Sequence, residues 1–115
     1  MNMYKIEANI RPDKFDEVRE ALHEIDVTMI TKIECRGSGR LRGVMHSFRG
    51  GSHGDGLTAR VRIDIVVSEP YLDKTVEAIQ RTATTGEIGD GKIFVFPVQE
   101  VVRIRNNERG PTALS

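Results

Sequence analysis

The sequence lacks tryptophan, and its other aromatic residues are limited to four Phe and two Tyr. Few aromatic side chains leave few surfaces on which nucleic-acid bases could stack. The only cysteine, Cys35, excludes an internal disulfide framework and suits a reducing cytoplasm. Because 17 basic residues balance 17 acidic ones, overall charge attracts neither nucleic acid nor a membrane surface.

Long apolar runs are also absent. No stretch reaches the roughly 18 apolar residues of a membrane-spanning helix, and the first ten residues, MNMYKIEANI, contain no apolar signal-peptide core. The 115 residues suffice for one domain with one hydrophobic core. We therefore expect a single cytoplasmic domain spanning residues 1–115.

Hydrophobic periodicity predicts two similar halves. In the first, alternation over residues 4–10 predicts a strand, helical spacing after Pro12 predicts a helix with Phe15, Val18, Leu22 and Ile25 on one face, and the β-branched run 27–35 predicts a second strand. In the second, residues 59–67 alternate and residues 72–83 have helical spacing. The near-continuous apolar run 92–98 predicts a strand that is covered on at least one side.

The order β-α-β, loop, β-α-β is typical of the α+β ferredoxin-like fold. A more polar strand or hairpin arm is expected over residues 101–107. The face of the sheet without helices would expose considerable apolar area unless another subunit covered it, so we expect a homo-oligomer.

A long loop, residues 37–58, connects the two middle strands. Its first 20 residues, GSGRLRGVMHSFRGGSHGDG, contain seven of the chain's 11 glycines. Six arginines and one acidic residue occur between Arg36 and Arg62. A solvated linker would explain this composition, but loops of such length in compact domains are usually functional. We expect an exposed interaction loop.

A second glycine-rich stretch, TGEIGDGK, lies between the second helix and the last strand. It is not a P-loop, because Ile93 stands where Ser or Thr must bind magnesium, and it is not a dinucleotide fingerprint, because it follows a helix. Its backbone N–H groups and Lys92 suit a phosphate, with Arg103 and Arg105 on one face of the next strand as a second clamp. A helix C-cap at Gly86 followed by a tight turn is the alternative, and the residues alone do not decide.

The segment TGEIGDGKIFVFPVQEVVRIR resembles the signature of the PII signal-transduction proteins, and the resemblance extends from IEANIRPDKFDEVREAL through GSGRLRG to RIDIVV. It implies a trimer of ferredoxin-like subunits with ATP or ADP, and magnesium with ATP, in each cleft between neighbours. The loop 37–58 would dock on a target protein such as a transporter or a metabolic enzyme. Contact with a membrane would be indirect, through a transporter.

The resemblance also implies roles for individual residues. Gly89, Asp90, Gly91 and Lys92 would hold the phosphates, with Arg103 and Arg105 from the next subunit; Gly39 and Arg40 would close over them; Thr31 and Val66 would contact the adenosine. Asp64 stands where the family commonly has glutamate.

Two departures from the family concern the loop. Leu41 replaces a glutamine whose oxygen helps to hold the magnesium that chelates 2-oxoglutarate, and Arg60 replaces a lysine that pairs with the far carboxylate. We therefore expect a weak or absent response to 2-oxoglutarate; Arg42 and Arg60 could capture another small anion. His53 and Gly51 match family positions that are uridylylated and phosphorylated, so no such switch is expected, although Ser47 and Ser52 are near.

Other chemistry has weaker support. Cys35, His46 and His53 lack zinc-site spacing, so no metal site is predicted. A slow ATP-hydrolysing enzyme would need a base beside the γ-phosphate, for which Asp90 is the only candidate. Nucleic-acid binding through the Arg/Gly loop would predict a steep salt dependence, but Phe48 is its only aromatic residue. A nucleotide-sensing, non-enzymatic regulator is the preferred hypothesis.

Overall fold

The computed structural model describes residues 1–39 and 56–115. Its elements are β1 (Met3–Ile10), α1 (Phe15–Glu24), β2 (Thr31–Gly37), β3 (Thr58–Ser68), α2 (Leu72–Ala83) and β4 (Lys92–Val98), with short 3₁₀ turns at Pro12–Lys14, Glu69–Tyr71 and Pro111–Leu114. The four strands form one antiparallel sheet in the order β2-β3-β1-β4. This arrangement confirms the predicted α+β ferredoxin-like fold.

The core lies between the two helices and one face of the sheet. Ile6, Ile63 and Ile79 are fully buried there, as are Val18 and Leu22 of α1. Alternate residues of β1 and β3 supply the sheet side because successive strand side chains point to opposite faces. No helix in the described part of the chain is long and apolar enough to span a membrane.

One strand prediction needs correction, and for residues 101–107 the structure favours the hairpin arm over the strand. The second strand begins at Thr31 rather than at residue 27. Residues 101–107 do not form a regular strand, because a turn follows at once: Asn107 adopts a φ of 62° and its N–H donates to the Arg103 carbonyl. Only Val102 and Arg109 pair across this hairpin-like segment.

The helix-free face of the sheet is charged at its centre rather than apolar. The Lys5 ammonium lies 3.5 Å from the Glu7 carboxylate and 3.8 Å from that of Asp64. Arg62 donates two hydrogen bonds of 3.2 Å to Asp64. The predicted apolar surface is therefore confined to part of this face.

That apolar surface lies along the edge strand β4. Phe94, Val95 and Phe96 are each between 43 and 46% exposed. The apolar run 92–98, which was predicted to be covered on at least one side, is therefore largely uncovered within one chain. Phe94 and Phe96 pair with Glu7 and Lys5, which places both rings on the helix-free face. An exposed apolar edge strand is a surface on which another chain can pack.

Candidate functional site

The predicted site residues separate into two groups at opposite ends of the sheet. The glycine segment, which we define as residues 84–92, lies beside the end of β1 and the start of β3. Thr31 begins β2 and pairs with Asp64 near the middle of β3, and Val66 lies toward the other end of that strand. Arg60 and Val66 are six residues apart on β3, or about 20 Å at the rise of a strand. One chain therefore does not gather both groups around a single ligand.

Asp90 is the centre of the glycine segment. Its carboxylate accepts hydrogen bonds from the Thr85 N–H at 2.7 Å, the Gly86 N–H at 2.9 Å and the Thr85 hydroxyl. Arg11 Nε donates to the same carboxylate at 3.0 Å. Partial burial would raise the pKa of Asp90, but the bonds from Thr85, then those from Arg11 and Gly86, hold the pKa far below its ordinary value. Asp90 therefore shapes the segment from within.

Two arginines from neighbouring strands fix the segment to the sheet. Besides its bond to Asp90, Arg11 donates from Nη2 to the Ile88 carbonyl at 3.0 Å. Arg60 donates from Nη1 to the Gly89 carbonyl at 2.7 Å and from Nε to Asn9 Oδ1 at 2.8 Å. Partial burial, followed by the like charge of Arg11, lowers the pKa of Arg60. Arg60, predicted as a ligand for a small anion, here braces the main chain.

Gly91 makes the close approach that the segment requires. Its φ is +101°, and a Cβ atom added there would lie 1.7 Å from the Asn9 carbonyl oxygen and 2.7 Å from Arg60 Nη2. The main chain of β1 cannot give way as a side chain could. Gly86 also has a positive φ, +86°, but an added Cβ would contact nothing within 4 Å. It is not a helix C-cap, because α2 ends at Ala83 and Thr84 is the capping residue.

The braced segment leaves donors unused. Within residues 1–39 and 56–115, no acceptor is found for the backbone N–H groups of Gly89 and Gly91. The exposed Lys92 makes no ion pair with a described residue. Two open N–H groups beside an exposed ammonium are suited to bind an anion. A cleft of about 360 Å³ opens beside them, lined by Asp90, Gly91, Lys92 and apolar residues of α2.

Val66, from the second group, lines a cleft of about 280 Å³ at the other end of β3. Its walls include Val66, 36% exposed, and Thr28 and Met29 from the turn before β2. Thr31 is exposed nearby, whereas Asp64 is held in the charged network on the helix-free face. The 3₁₀ turn Pro111–Leu114 forms the remaining wall.

The sequence predicted that Arg103 and Arg105 project from one face of a strand. They do not, because the chain turns between them. Arg103 donates to the Glu108 carboxylate and to the carbonyl oxygens of Thr112 and Ser115. Arg105 is exposed, with no hydrogen bond or ion pair to a described residue. Although the two arginines are only two positions apart, Arg105 is exposed to a ligand whereas Arg103 already has partners in its own chain.

Some predicted residues lie outside the described part of the chain: Arg40, Leu41, Arg42, His46, Ser47, Phe48, Gly51, Ser52 and His53. Gly39 is described and exposed, two residues beyond β2 at the glycine-segment end. The described residues contain no group of three or more His, Cys, Asp or Glu side chains that could hold a metal ion.

Sequence reasoning missed Arg11 and Asn9. Both lie near the end of β1, about 80 residues before the segment they support. Their importance depends on β1 pairing with β4, through which Asn9 faces Lys92. The only sequence signal is an arginine directly after a strand, which carries no information until that pairing is known.

Comparison with known proteins identifies the family. The family model for nitrogen regulatory protein P-II matches residues 3–108. The nitrogen regulatory protein P-II of Azospirillum brasilense is 48% identical over 97% of this chain and 100% of its own length. The nitrogen regulatory protein P-II 1 of Escherichia coli K12 is 46% identical over the same shares of the two chains.

Two solved structures have the same fold. Arabidopsis thaliana PII bound to citrate matches with a TM-score of 0.80 and 37% identity, covering 97% of this chain and 89% of its own. A B. subtilis GlnK–ATP complex matches with a TM-score of 0.80 and 34% identity, covering 98% of this chain and 96% of its own.

Proposed function

Because the chain belongs to the nitrogen regulatory protein P-II family, we propose that it is a cytoplasmic signalling protein that binds ATP or ADP and regulates a target protein through the loop 37–58. The observation that carries the proposal is the braced glycine segment, in which the Gly89 and Gly91 N–H groups and the adjacent Lys92 ammonium have no partner among the described residues. The ATP complex of the B. subtilis relative agrees with this choice of ligand. Residues 1–115 act as one domain.

The nucleotide site lies in each cleft of a homotrimer. Both the glycine segment and Arg103 are assigned to the phosphates, yet they belong to opposite ends of one sheet, and a hydrogen bond spans only about 3 Å. Two neighbouring subunits can supply what one chain cannot. The exposed apolar strand β4 supports such an assembly, because a neighbour would cover it.

Each of the two subunits that form a nucleotide site contributes different contacts. The N–H groups of Gly89 and Gly91 and the Lys92 ammonium bind phosphate oxygens, while Asp90 maintains their arrangement. From the neighbouring subunit, Thr31 and Val66 contact the adenosine, with Asp64 close by, and Arg103 and Arg105 complete the phosphate clamp. Gly39 and Arg40 close over the phosphates, and magnesium accompanies ATP.

The protein acts by binding rather than by catalysis. The hydrolysis hypothesis relied on Asp90 as the base that orients water. Its carboxylate already accepts several hydrogen bonds, and its depressed pKa makes it a poor proton acceptor. The family names describe regulatory proteins, in agreement with a non-enzymatic role.

The ligand response is selective. Leu41 offers no oxygen to magnesium, which requires a nearly ideal octahedral shell, and Arg60 is committed to Asn9 and Gly89. We expect 2-oxoglutarate to bind weakly or not at all to protein saturated with Mg-ATP. Titration into the unmutated protein and a Leu41→Gln variant tests this; micromolar binding by the unmutated protein would refute it.

The nucleotide site itself is tested with Lys92→Ala. The loss of one charge-assisted contact, about 1.5–3 kcal/mol, should weaken ATP binding by about 10- to 150-fold in calorimetry. The control is Arg19→Ala, which removes an exposed cation of α1 that pairs with Asp16 and lines neither cleft. Equal ATP affinity in both variants would mean that the glycine segment is only a turn.

A further inference from the structure

Arg103 is already bound by its own chain. Its guanidinium donates to the Glu108 carboxylate, to the Thr112 carbonyl oxygen at 2.9 Å and to the Ser115 main-chain oxygen. Its side chain is only 19% exposed. A carboxylate and two carbonyl oxygens are acceptors of the kind that a phosphate would offer to this arginine.

The residues that hold Arg103 form an ordered cap, which we define as residues 108–115. The Gly110 N–H donates to the Val101 carbonyl at 3.0 Å, and the Ala113 N–H to the Gly110 carbonyl at 2.9 Å. Gly110 has a φ of +80°, which directs the chain into the 3₁₀ turn beginning at Pro111.

The cap also covers the group assigned to the adenosine. Pro111, Leu114 and Ser115 line the same 280 Å³ cleft as Val66 and Met29. One short segment thus contacts both parts of the half-site at this end of the sheet: the arginine assigned to the phosphates and the apolar surface assigned to the adenosine. Arg105 stays outside these contacts.

From this geometry we infer that the cap is an internal ligand that competes with the nucleotide for Arg103. The inference rests on the proposed nucleotide site and adds its regulation. A closed form, in which the cap holds Arg103, exchanges with an open form that is competent to bind. Apparent affinity falls in proportion to the open fraction, so a closed form in roughly tenfold excess would weaken binding about tenfold.

Two changes to the full chain test the competition. Deletion of residues 111–115 removes two acceptors from Arg103, and the substitution Glu108→Gln removes the negative charge beside it. Each should tighten ATP binding in calorimetry, the deletion by about three- to tenfold. The matched control is Glu100→Gln, which breaks an ion pair with Arg109 in the same hairpin but leaves Arg103 untouched. ATP affinity of this control should equal that of the unmutated chain.

Equal or weaker ATP binding after both changes would overturn the inference and leave the proposed function intact. Absence of ATP binding in the full chain and in the deletion variant would contradict the proposed function, and the inference with it. A second measurement needs no variant: ATP should reduce amide-exchange protection at Gly110 and Ala113. Unchanged or increased protection at saturating ATP would count against the competition.

Discussion

The two ends of the sheet, both proposed to contact phosphates, differ in how their donors are held. At one end, Arg11 and Arg60 hold the glycine segment by its carbonyl groups, so its N–H groups remain open. At the other, Arg103 is itself held by residues 108–115 of the same chain. The first half-site is preorganised, which lowers the cost of binding, whereas the second must exchange its own contacts for those of a ligand. The contacts of the second half-site are therefore the ones through which ligand binding is proposed to be regulated.

The preorganised end should be the more sensitive to substitution, and Gly91→Ala should have the largest effect. Its Cβ would meet the Asn9 carbonyl oxygen at 1.7 Å with φ at +101°. Left-handed strain of about 1–2 kcal/mol and overpacking of about 1–3 kcal/mol together predict a loss of about 2–5 kcal/mol in unfolding free energy, measured by denaturant titration, and loss of ATP binding.

Gly86→Ala is the matched control for this substitution. It shares the positive φ, but its Cβ would contact nothing within 4 Å, so only the strain of about 1–2 kcal/mol is expected. Equal destabilisation by the two substitutions would show that the close approach to β1 is unimportant.

Asp90→Asn should cost less, about 1–3 kcal/mol, because it removes the charge that orders Thr85, Gly86 and Arg11. The pKa of Asp90 in the folded protein lies far below that in the unfolded chain. Its contribution to stability is therefore present above about pH 4 and is lost as the pH falls toward the folded-state value.

The unfolding free energy of the Asp90→Asn variant, compared with the unmutated protein from neutral to strongly acidic pH, should show a difference that shrinks on acidification. The control Glu87→Gln, in the same exposed segment, should have almost the same unfolding free energy as the unmutated protein. A difference that stayed constant with pH would contradict the assigned role of the carboxylate.

The smallest effect distinguishes the two cations that are proposed to bind phosphate. Arg103→Ala should lower the unfolding free energy by about 1–2 kcal/mol because internal hydrogen bonds are lost. Lys92→Ala should change it by less than about 0.5 kcal/mol, since Lys92 makes no ion pair with a described residue. Equal unfolding free energies of the two variants would contradict the claim that Arg103, unlike Lys92, is held by internal hydrogen bonds.

Much of the fold could be predicted because periodicity reflects local geometry. Alternation in β1 and β3 and helical spacing in α1 and α2 mark which side chains face the core. For residues 101–107 the β-branched residues allowed either a strand or a hairpin arm, and the turn at Asn107 favours the hairpin arm. The apolar run of β4 predicted burial, but an edge strand in a single chain has no neighbour to cover it.

The candidate site was only partly predictable for the same reason. The motif located the glycine segment, and the glycines indicated open N–H groups. The role of Asp90 as a brace depends on Arg11, which becomes its neighbour only through the β1–β4 pairing. The hydrogen bonds from Arg103 to residues 112 and 115 depend on a 3₁₀ turn, and no hydrophobic periodicity in the sequence indicates that turn.

The central claim is that each nucleotide site combines the glycine segment of one subunit with Arg103 of another. The most direct test mixes Lys92→Ala and Arg103→Ala chains, refolds them together and titrates the purified mixed trimers with ATP. Each variant alone should bind weakly. If the site is shared, every mixed trimer contains one cleft with both an intact Lys92 and an intact Arg103, so tight ATP binding should reappear at that cleft. Weak binding throughout the mixed trimers would contradict the shared site.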